Sequence, residues 1–97
     1  MRTIERARRF RKDYRRETSG QSAAHVNKLD IELEAVVTAL AADEPLAARF
    51  QDHALVGEWQ DCRDCHIRND LVLIYRKPDD DTLELVRLGS HSELGLA

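Results

Sequence analysis

The chain has no long hydrophobic run, although 42% of its 97 residues are hydrophobic. A membrane-spanning helix needs roughly 18 consecutive apolar residues, and no segment approaches that length. The first 16 residues are dominated by arginine, so we expect no export signal with an apolar centre there. These features predict a cytoplasmic protein.

Internal repeats and low-complexity linkers are also missing from the sequence. A chain of 97 residues buries only roughly 60–65% of its unfolded surface, which leaves no apolar material for a second core. We therefore expect a single domain over residues 1–97.

Cysteine and methionine are scarce: the chain has Cys62, Cys65 and Met1. The cysteines and His66 match the C-x-x-C-H pattern of haem attachment, but the chain lacks a second methionine as an axial ligand. Three residues apart on a strand, the cysteines would lie about 10 Å apart on opposite faces, too far for a disulfide. We predict two free thiols and no cofactor. The same geometry disfavours a zinc site made of Cys62, Cys65, His66 and His91, unless a β-bulge or a loop interrupts the strand.

Charge is distributed unevenly along the chain. Residues 1–16 hold eight basic residues (Lys or Arg) and two acidic ones, a net charge of +6. Residues 17–97 hold seven basic and sixteen acidic residues, a net charge of −9. A basic segment of this kind is suited to phosphate backbones or an acidic partner. A solvated helix face is the alternative.

Two helices are predicted within the first 45 residues, after a short strand at residues 2–5. Phe10 and Tyr14 form an apolar stripe on a helix over residues 7–17. A longer amphipathic helix is predicted over residues 23–42, and Pro45 prevents its extension. Its apolar positions are Val26, Leu29, Leu33, Val36, Val37 and Leu40.

Strand patterns follow the helices. Alternation from Glu58 onward places Asp64 and His66 on one face and Trp59 and Cys65 on the other. Residues 71–75 form a β-favouring run typical of a central strand, and a turn at residues 78–81 leads to a strand at residues 83–88. These elements predict an α+β fold, with an N-terminal strand and a helical hairpin packed on a small, mainly antiparallel, four-stranded sheet.

Acid–base side chains are concentrated in the strand-rich half. A carboxylate beside an imidazole orients the ring and favours its protonated form, as expected for Asp64 and His66. Arg87 ends an apolar strand and suits phosphate, because guanidinium binds phosphate in a bidentate manner. Spectator histidines are the alternative interpretation. The acid–base candidates are His53, Asp64, His66, Asp70 and His91.

Four spaced motifs resemble the YafQ branch of the RelE/ParE toxin superfamily. They are DHALVGEW at residues 52–59, RDCH at 63–66, DLVLIY at 70–75 and RLGSH at 87–91. The family pattern is D-H-x-L-x-G-x-W, R-D-x-H, D-x-x-L-I-Y and R-x-G-x-H. The match covers most of residues 46–94, and the chain departs from it at Gly95, near where the family often has an aromatic residue.

The resemblance implies a RelE-like toxin of a type II toxin–antitoxin system. Its activity would be metal-independent, ribosome-dependent cleavage of messenger RNA, silenced by a cognate antitoxin of the DinJ/RelB type. The toxin would be monomeric alone or hetero-oligomeric with that antitoxin. By motif position, His53, His66, Asp70 and His91 would form the acid–base set, supported by Asp64. Arg63 and Arg87 would contact RNA phosphate.

Two other functions remain open at this point. The same fold serves toxins that poison gyrase by binding, and it would also serve a catalytically dead module that only binds an antitoxin. The base and the acid are not assigned within the histidine set.

Overall fold

The computed structural model describes residues 1–96, so Ala97, the end of the expected domain, lies outside the described residues. The strands and helices are β1 (Thr3–Arg6), α1 (Arg8–Thr18), α2 (Ala23–Ala41), β2 (His53–Ala54), β3 (Arg63–Arg68), β4 (Leu71–Asp79) and β5 (Thr82–Gly89). The sheet has the order β1-β5-β4-β3-β2. No helix within residues 1–96 is both long and apolar enough to cross a bilayer.

The α+β class and both helices are confirmed. Each helix end falls within a residue or so of the predicted end, because the apolar stripes and the stop signals are local features. At the start of α2 the Ser22 hydroxyl accepts a hydrogen bond from the His25 N–H at 3.1 Å and satisfies one of the free donors of the first turn.

The sheet differs from the prediction in three places, one being that β4 continues to Asp79, so that the turn expected at residues 78–81 is confined to Asp80 and Asp81. The sheet also has five strands rather than four, because the two-residue strand β2 is too short to show a period. The strand predicted from Glu58 begins at Arg63 instead, because Gly57–Trp59 form a 3-10 turn. Gly57 has a φ of +70°, a conformation that glycine adopts without strain.

Strands β3, β4 and β5 form an antiparallel meander, and β1 pairs with β5 in parallel. Val72 pairs with His66 on one side and with Gly89 on the other. This register brings the end of β3, the start of β4 and the end of β5 side by side. The meander therefore collects Asp70 and His91, which flank these positions, around His66.

The two faces of the sheet carry different cores. The helices cover one face over the main core, which includes Phe10, Leu29, Leu73 and Leu85. The opposite face carries a smaller cluster of Cys62, Val72, Ile74 and Leu94. Asp64 pairs with Ile74 in the ladder, and His66 pairs with Val72. The face without helices is therefore the one that carries the acid–base side chains.

Helix α1 completes the free edge of β5. The ladder between β1 and β5 ends at Arg6 and Leu85, beyond which the backbone of β5 has no strand on that side. Asp13 accepts the Leu88 N–H at 3.0 Å, and Arg16 donates to the Leu88 carbonyl oxygen at 2.9 Å. Two side chains of α1 thus take the place of strand β1 along this part of the edge.

Asp13 is only 3% exposed, and its carboxylate also accepts a hydrogen bond from Arg87 Nε at 2.6 Å. Burial alone would raise the pKa of Asp13, but the hydrogen bonds from Arg87 and the Leu88 N–H outweigh it and lower the pKa. Because the folded-state pKa lies below the unfolded one, the charged form adds stability above the unfolded pKa. That contribution is lost as pH falls through the folded-state pKa.

We predict that Asp13→Asn lowers the free energy of unfolding by about 3–5 kcal/mol at neutral pH, because it removes one partner of a buried ion pair. Urea denaturation measures this loss, and the difference from the native chain should shrink in acid. Asp80→Asn, at an exposed turn aspartate, is the control and should leave the value unchanged. An equal effect of the two substitutions would contradict the assignment.

Candidate active site

His66 and His91 lie in contact where the three meander strands meet. Their ring centroids are 4.9 Å apart and the ring planes meet at 70°, an edge-to-face arrangement. His66 stands on β3, and His91 follows β5 by two residues. Two imidazoles, one on strand β3 and one in the turn after β5, thus lie side by side.

Asp70 orients His91. One carboxylate oxygen of Asp70 accepts the His91 backbone N–H at 2.9 Å and lies 2.7 Å from His91 Nδ1. The backbone hydrogen bond, followed by the side-chain one, lowers the pKa of Asp70. The ionised carboxylate favours a proton on Nδ1, so Nε2 is the nitrogen left to exchange a proton with a substrate.

His53 and Asp64 form a second imidazole–carboxylate pair, carried by β2 and β3. These residues are register partners, and His53 Nδ1 lies 3.0 Å from Asp64 Oδ1. The two atoms are not aligned for a hydrogen bond; Nδ1 instead lies 2.8 Å from the Gln51 carbonyl oxygen. Asp64 Oδ1 is buried without a hydrogen-bond partner within residues 1–96.

Asp64 is a buried carboxylate next to the histidines, with 2% of its surface exposed. Burial raises its pKa, while His53, His66 and His91 act in the opposite direction when they are charged. A carboxylate in this position stabilises positive charge on the neighbouring imidazoles. The pairing of Asp64 and His66 on one strand face, expected from the period of two, is confirmed.

Both candidate phosphate ligands already have carboxylate partners. Arg87 is held by Asp13 against α1, and its side chain is 12% exposed. Arg63 Nε lies 3.2 Å from Asp52, which also accepts the Tyr75 hydroxyl at 2.6 Å. A role for either arginine in phosphate binding therefore stays a prediction, and it would require the guanidinium to leave or share its partner.

The two cysteines are free thiols, as expected, and both are buried. Cys65 packs in the main core and Cys62 in the cluster on the other face. Burial raises the pKa of Cys65 to about 12, so its thiol is not ionised at neutral pH. Among residues 1–96 no group of three His, Cys, Asp or Glu side chains is placed to hold a metal ion.

Three residues that shape the site are missing from the sequence-based candidates. Asp13 and Arg16 contact the end of β5, and Gly89 provides the space for Arg16. The R-x-G part of the last motif was the available signal for the glycine. Asp13 and Arg16 lie more than 70 residues before their partners in the chain, and the sequence carries no local signal for those contacts.

The arrangement is suited to proton transfer. It has three imidazoles from different elements and two carboxylates that each lie within 3.0 Å of an imidazole nitrogen. Imidazoles accept and donate protons near neutral pH, and neighbouring carboxylates hold them in position.

A family model described as the bacterial toxin of type II toxin–antitoxin system, YafQ, matches residues 2–95. The mRNA interferase toxin YafQ of Escherichia coli K12 is 44% identical over 50 residues, which are 52% of this chain and 53% of that protein. The chain thus matches about half the length of its curated relatives.

Solved structures match over nearly the whole chain. A copper-bound mutant toxin from Helicobacter pylori has a TM-score of 0.81 and 41% identity, covering 97% of this chain and 99% of that one. The toxin in the DinJ–YafQ complex of Escherichia coli has a TM-score of 0.78 and 30% identity, covering 97% and 98%. With the family match over residues 2–95, these similarities show that the chain belongs to the YafQ family of bacterial toxins of type II toxin–antitoxin systems.

Proposed function

We propose that this protein is a messenger-RNA endoribonuclease, the toxin of a type II toxin–antitoxin pair. The observation that carries the proposal is the contact between His66 and His91, with Asp70 orienting the second ring. The Escherichia coli relative carries the name mRNA interferase toxin, which agrees with this chemistry. The whole of residues 1–97 would form the one toxin domain.

The reaction needs one proton acceptor and one proton donor. The ribose 2′-OH attacks the neighbouring phosphate and loses its proton, while the departing 5′-oxygen gains one. His53, His66 and His91 are the groups for these transfers, and Asp64 and Asp70 stabilise the charged rings. The chemistry needs no metal ion, so a chelator should leave the rate unchanged.

An exposed basic face on α1 supports a nucleic-acid target. Arg8, Lys12 and Arg15 are exposed and lie four and three residues apart, so they share the outer face of the helix. None of them takes part in a salt bridge within the described part of the chain. Unpaired cations of this kind bind phosphate with release of counterions, and ribosomal RNA offers a dense array of phosphates.

The regulatory partner would be a cognate antitoxin of the DinJ/RelB type. The Escherichia coli relative has been solved as a DinJ–YafQ complex. An antitoxin that covers the basic surface would block RNA binding by charge neutralisation. The cytoplasm, where ribosomes and antitoxin are made, would be the site of action, and the free toxin would be monomeric.

The first prediction from the proposed function concerns the two histidines in contact. His66→Ala and His91→Ala should each lower the rate of ribosome-dependent cleavage by about 10²–10⁴-fold, the usual contribution of a general acid or base. Primer extension on a defined messenger RNA, with and without programmed ribosomes, measures the cuts. His25→Ala on α2 is the matched control and should cut like the native chain.

Both site variants should still bind the antitoxin, which separates loss of chemistry from loss of fold. Undiminished toxicity of His66→Ala would contradict the nuclease proposal and favour a toxin that acts by binding, such as a gyrase poison. A folded native protein that binds antitoxin but makes no cut would indicate a non-catalytic module.

The second prediction concerns the buried Asp64. Because its pKa is raised in the folded state, ionisation weakens the fold as pH rises through the window above the unfolded pKa. Asp64→Asn removes that dependence. The Tm of the variant relative to the native chain should therefore increase as pH rises above the ordinary aspartate pKa of 3.8, while cleavage falls. A Tm difference between Asp64→Asn and the native chain that does not change with pH would contradict the raised pKa of Asp64.

The third prediction concerns the basic face. Replacing Arg8, Lys12 and Arg15 with Gln should weaken ribosome binding and lower the salt-dependence slope by roughly one unit per cation. A titration of ribosome affinity against salt measures the slope. Replacing the exposed Lys28 and Arg49 with Gln, outside this face, is the control. Equal slopes for the two variants would rule out the face as the RNA contact.

A further inference from the structure

The turn that carries His91 is closed by its own hydrogen bonds. Glu93 accepts the Ser90 N–H at 2.8 Å, and the Ser90 hydroxyl accepts the Glu93 N–H at 3.1 Å. This reciprocal Ser-x-x-Glu pair has the pattern of a capping box. The Leu96 N–H donates to the His91 carbonyl oxygen at 2.8 Å. The turn is therefore a compact unit, which Asp70 and the buried Leu94 hold to the sheet and to which Glu93 adds a contact with α1.

Arg16 links this turn to helix α1. Its Nε lies 3.1 Å from Glu93, while Nη2 donates to the Leu88 carbonyl oxygen at 2.9 Å. Its Nη1 donates to the buried Asp13 at 2.9 Å. One planar guanidinium thus joins α1, the end of β5 and the turn of His91, which a lysine ammonium could not do with fixed geometry.

Gly89 makes this arrangement possible by its lack of a side chain. A Cβ at this position would lie 2.9 Å from Arg16 Nη2 and 3.2 Å from Glu93 Oε1. The first distance is a clash and the second is tight, so the ion pair rests directly on the backbone of the strand. The requirement is for space, since Gly89 is not among the residues with positive φ.

The ion pair contributes little to stability, because the side chains of Arg16 and Glu93 are each 40% exposed. We propose that Arg16 and Glu93 are positioning residues, which fix the turn so that His91 stays against His66 and Asp70. The inference rests on the proposed nuclease function for its kinetic consequence. Because misplacement by an ångström lowers catalysis strongly, a loosened turn should reduce kcat and leave KM unchanged.

The test is Arg16→Gln, with Arg76→Gln as the matched control. Arg76 also pairs with a carboxylate, Glu84, and its side chain is 41% exposed. Amide hydrogen exchange followed by NMR reports on the His91 N–H, which Asp70 protects. We expect Arg16→Gln to speed this exchange by roughly two- to fivefold without affecting the centre of β4, and kcat to fall by a similar factor.

Glu93→Gln is a second variant, which we expect to fold like the native chain. A glutamine oxygen still accepts the Ser90 N–H, but the charge facing Arg16 is lost, so the effect should be smaller and in the same direction. Because the two side chains act as one unit, the double variant should be no worse than Arg16→Gln alone.

Exchange of the His91 amide at the same rate in Arg16→Gln and Arg76→Gln would overturn the proposal. Faster exchange of the His91 amide in Arg16→Gln with an unchanged kcat would also overturn the proposal, because the turn would then be loosened without any effect on catalysis. If the native protein itself makes no cuts, the nuclease proposal fails, whereas the exchange rates still decide whether Arg16 holds the turn.

Discussion

The structure depends on one buried carboxylate, Asp13, which is 3% exposed on the inner side of α1. The carboxylate accepts hydrogen bonds from the Arg87 side chain and the Leu88 backbone, and it also holds Arg16. A charge buried this deeply is tolerated only because several donors share it. Through this network α1 replaces the missing strand neighbour of β5 and fixes the end of that strand, from which the turn with His91 emerges.

The histidine site combines a fixed strand register with a buried carboxylate whose hydrogen bonding is incomplete. The register of the meander fixes His66 and the end of β5, on the face of the sheet that carries the smaller cluster rather than the helices. Asp64 shares the strand face of His66, its pKa is raised by burial, and its buried Oδ1 has no hydrogen-bond partner in residues 1–96. Such a group destabilises the fold when it is charged. Groups of this kind are common at functional sites, where the charge acts on neighbouring titratable side chains.

Local patterns in the sequence were sufficient to predict the helices and the shared strand face of Asp64 and His66. Both the helical stripe and the strand period depend only on residues close together in the chain. Strand β2 was missed, since two residues carry no period. The partner of Arg87 was also missed: Asp13 is 74 residues away, and only tertiary packing brings the pair together. The role of Arg87 in phosphate binding stays a prediction, now with the added condition that its guanidinium leaves or shares Asp13.

The proposed chemistry has one requirement that no binding-only toxin shares, which is the substrate 2′-hydroxyl. The most direct measurement compares a messenger RNA with a single 2′-deoxy nucleotide at the cleavage position with its all-ribose counterpart, on programmed ribosomes. The account predicts that the all-ribose RNA is cut to leave a 2′,3′-cyclic phosphate and that the deoxy substitution abolishes the cut. Cleavage at the deoxy position with an undiminished rate would contradict acid–base catalysis by this histidine set.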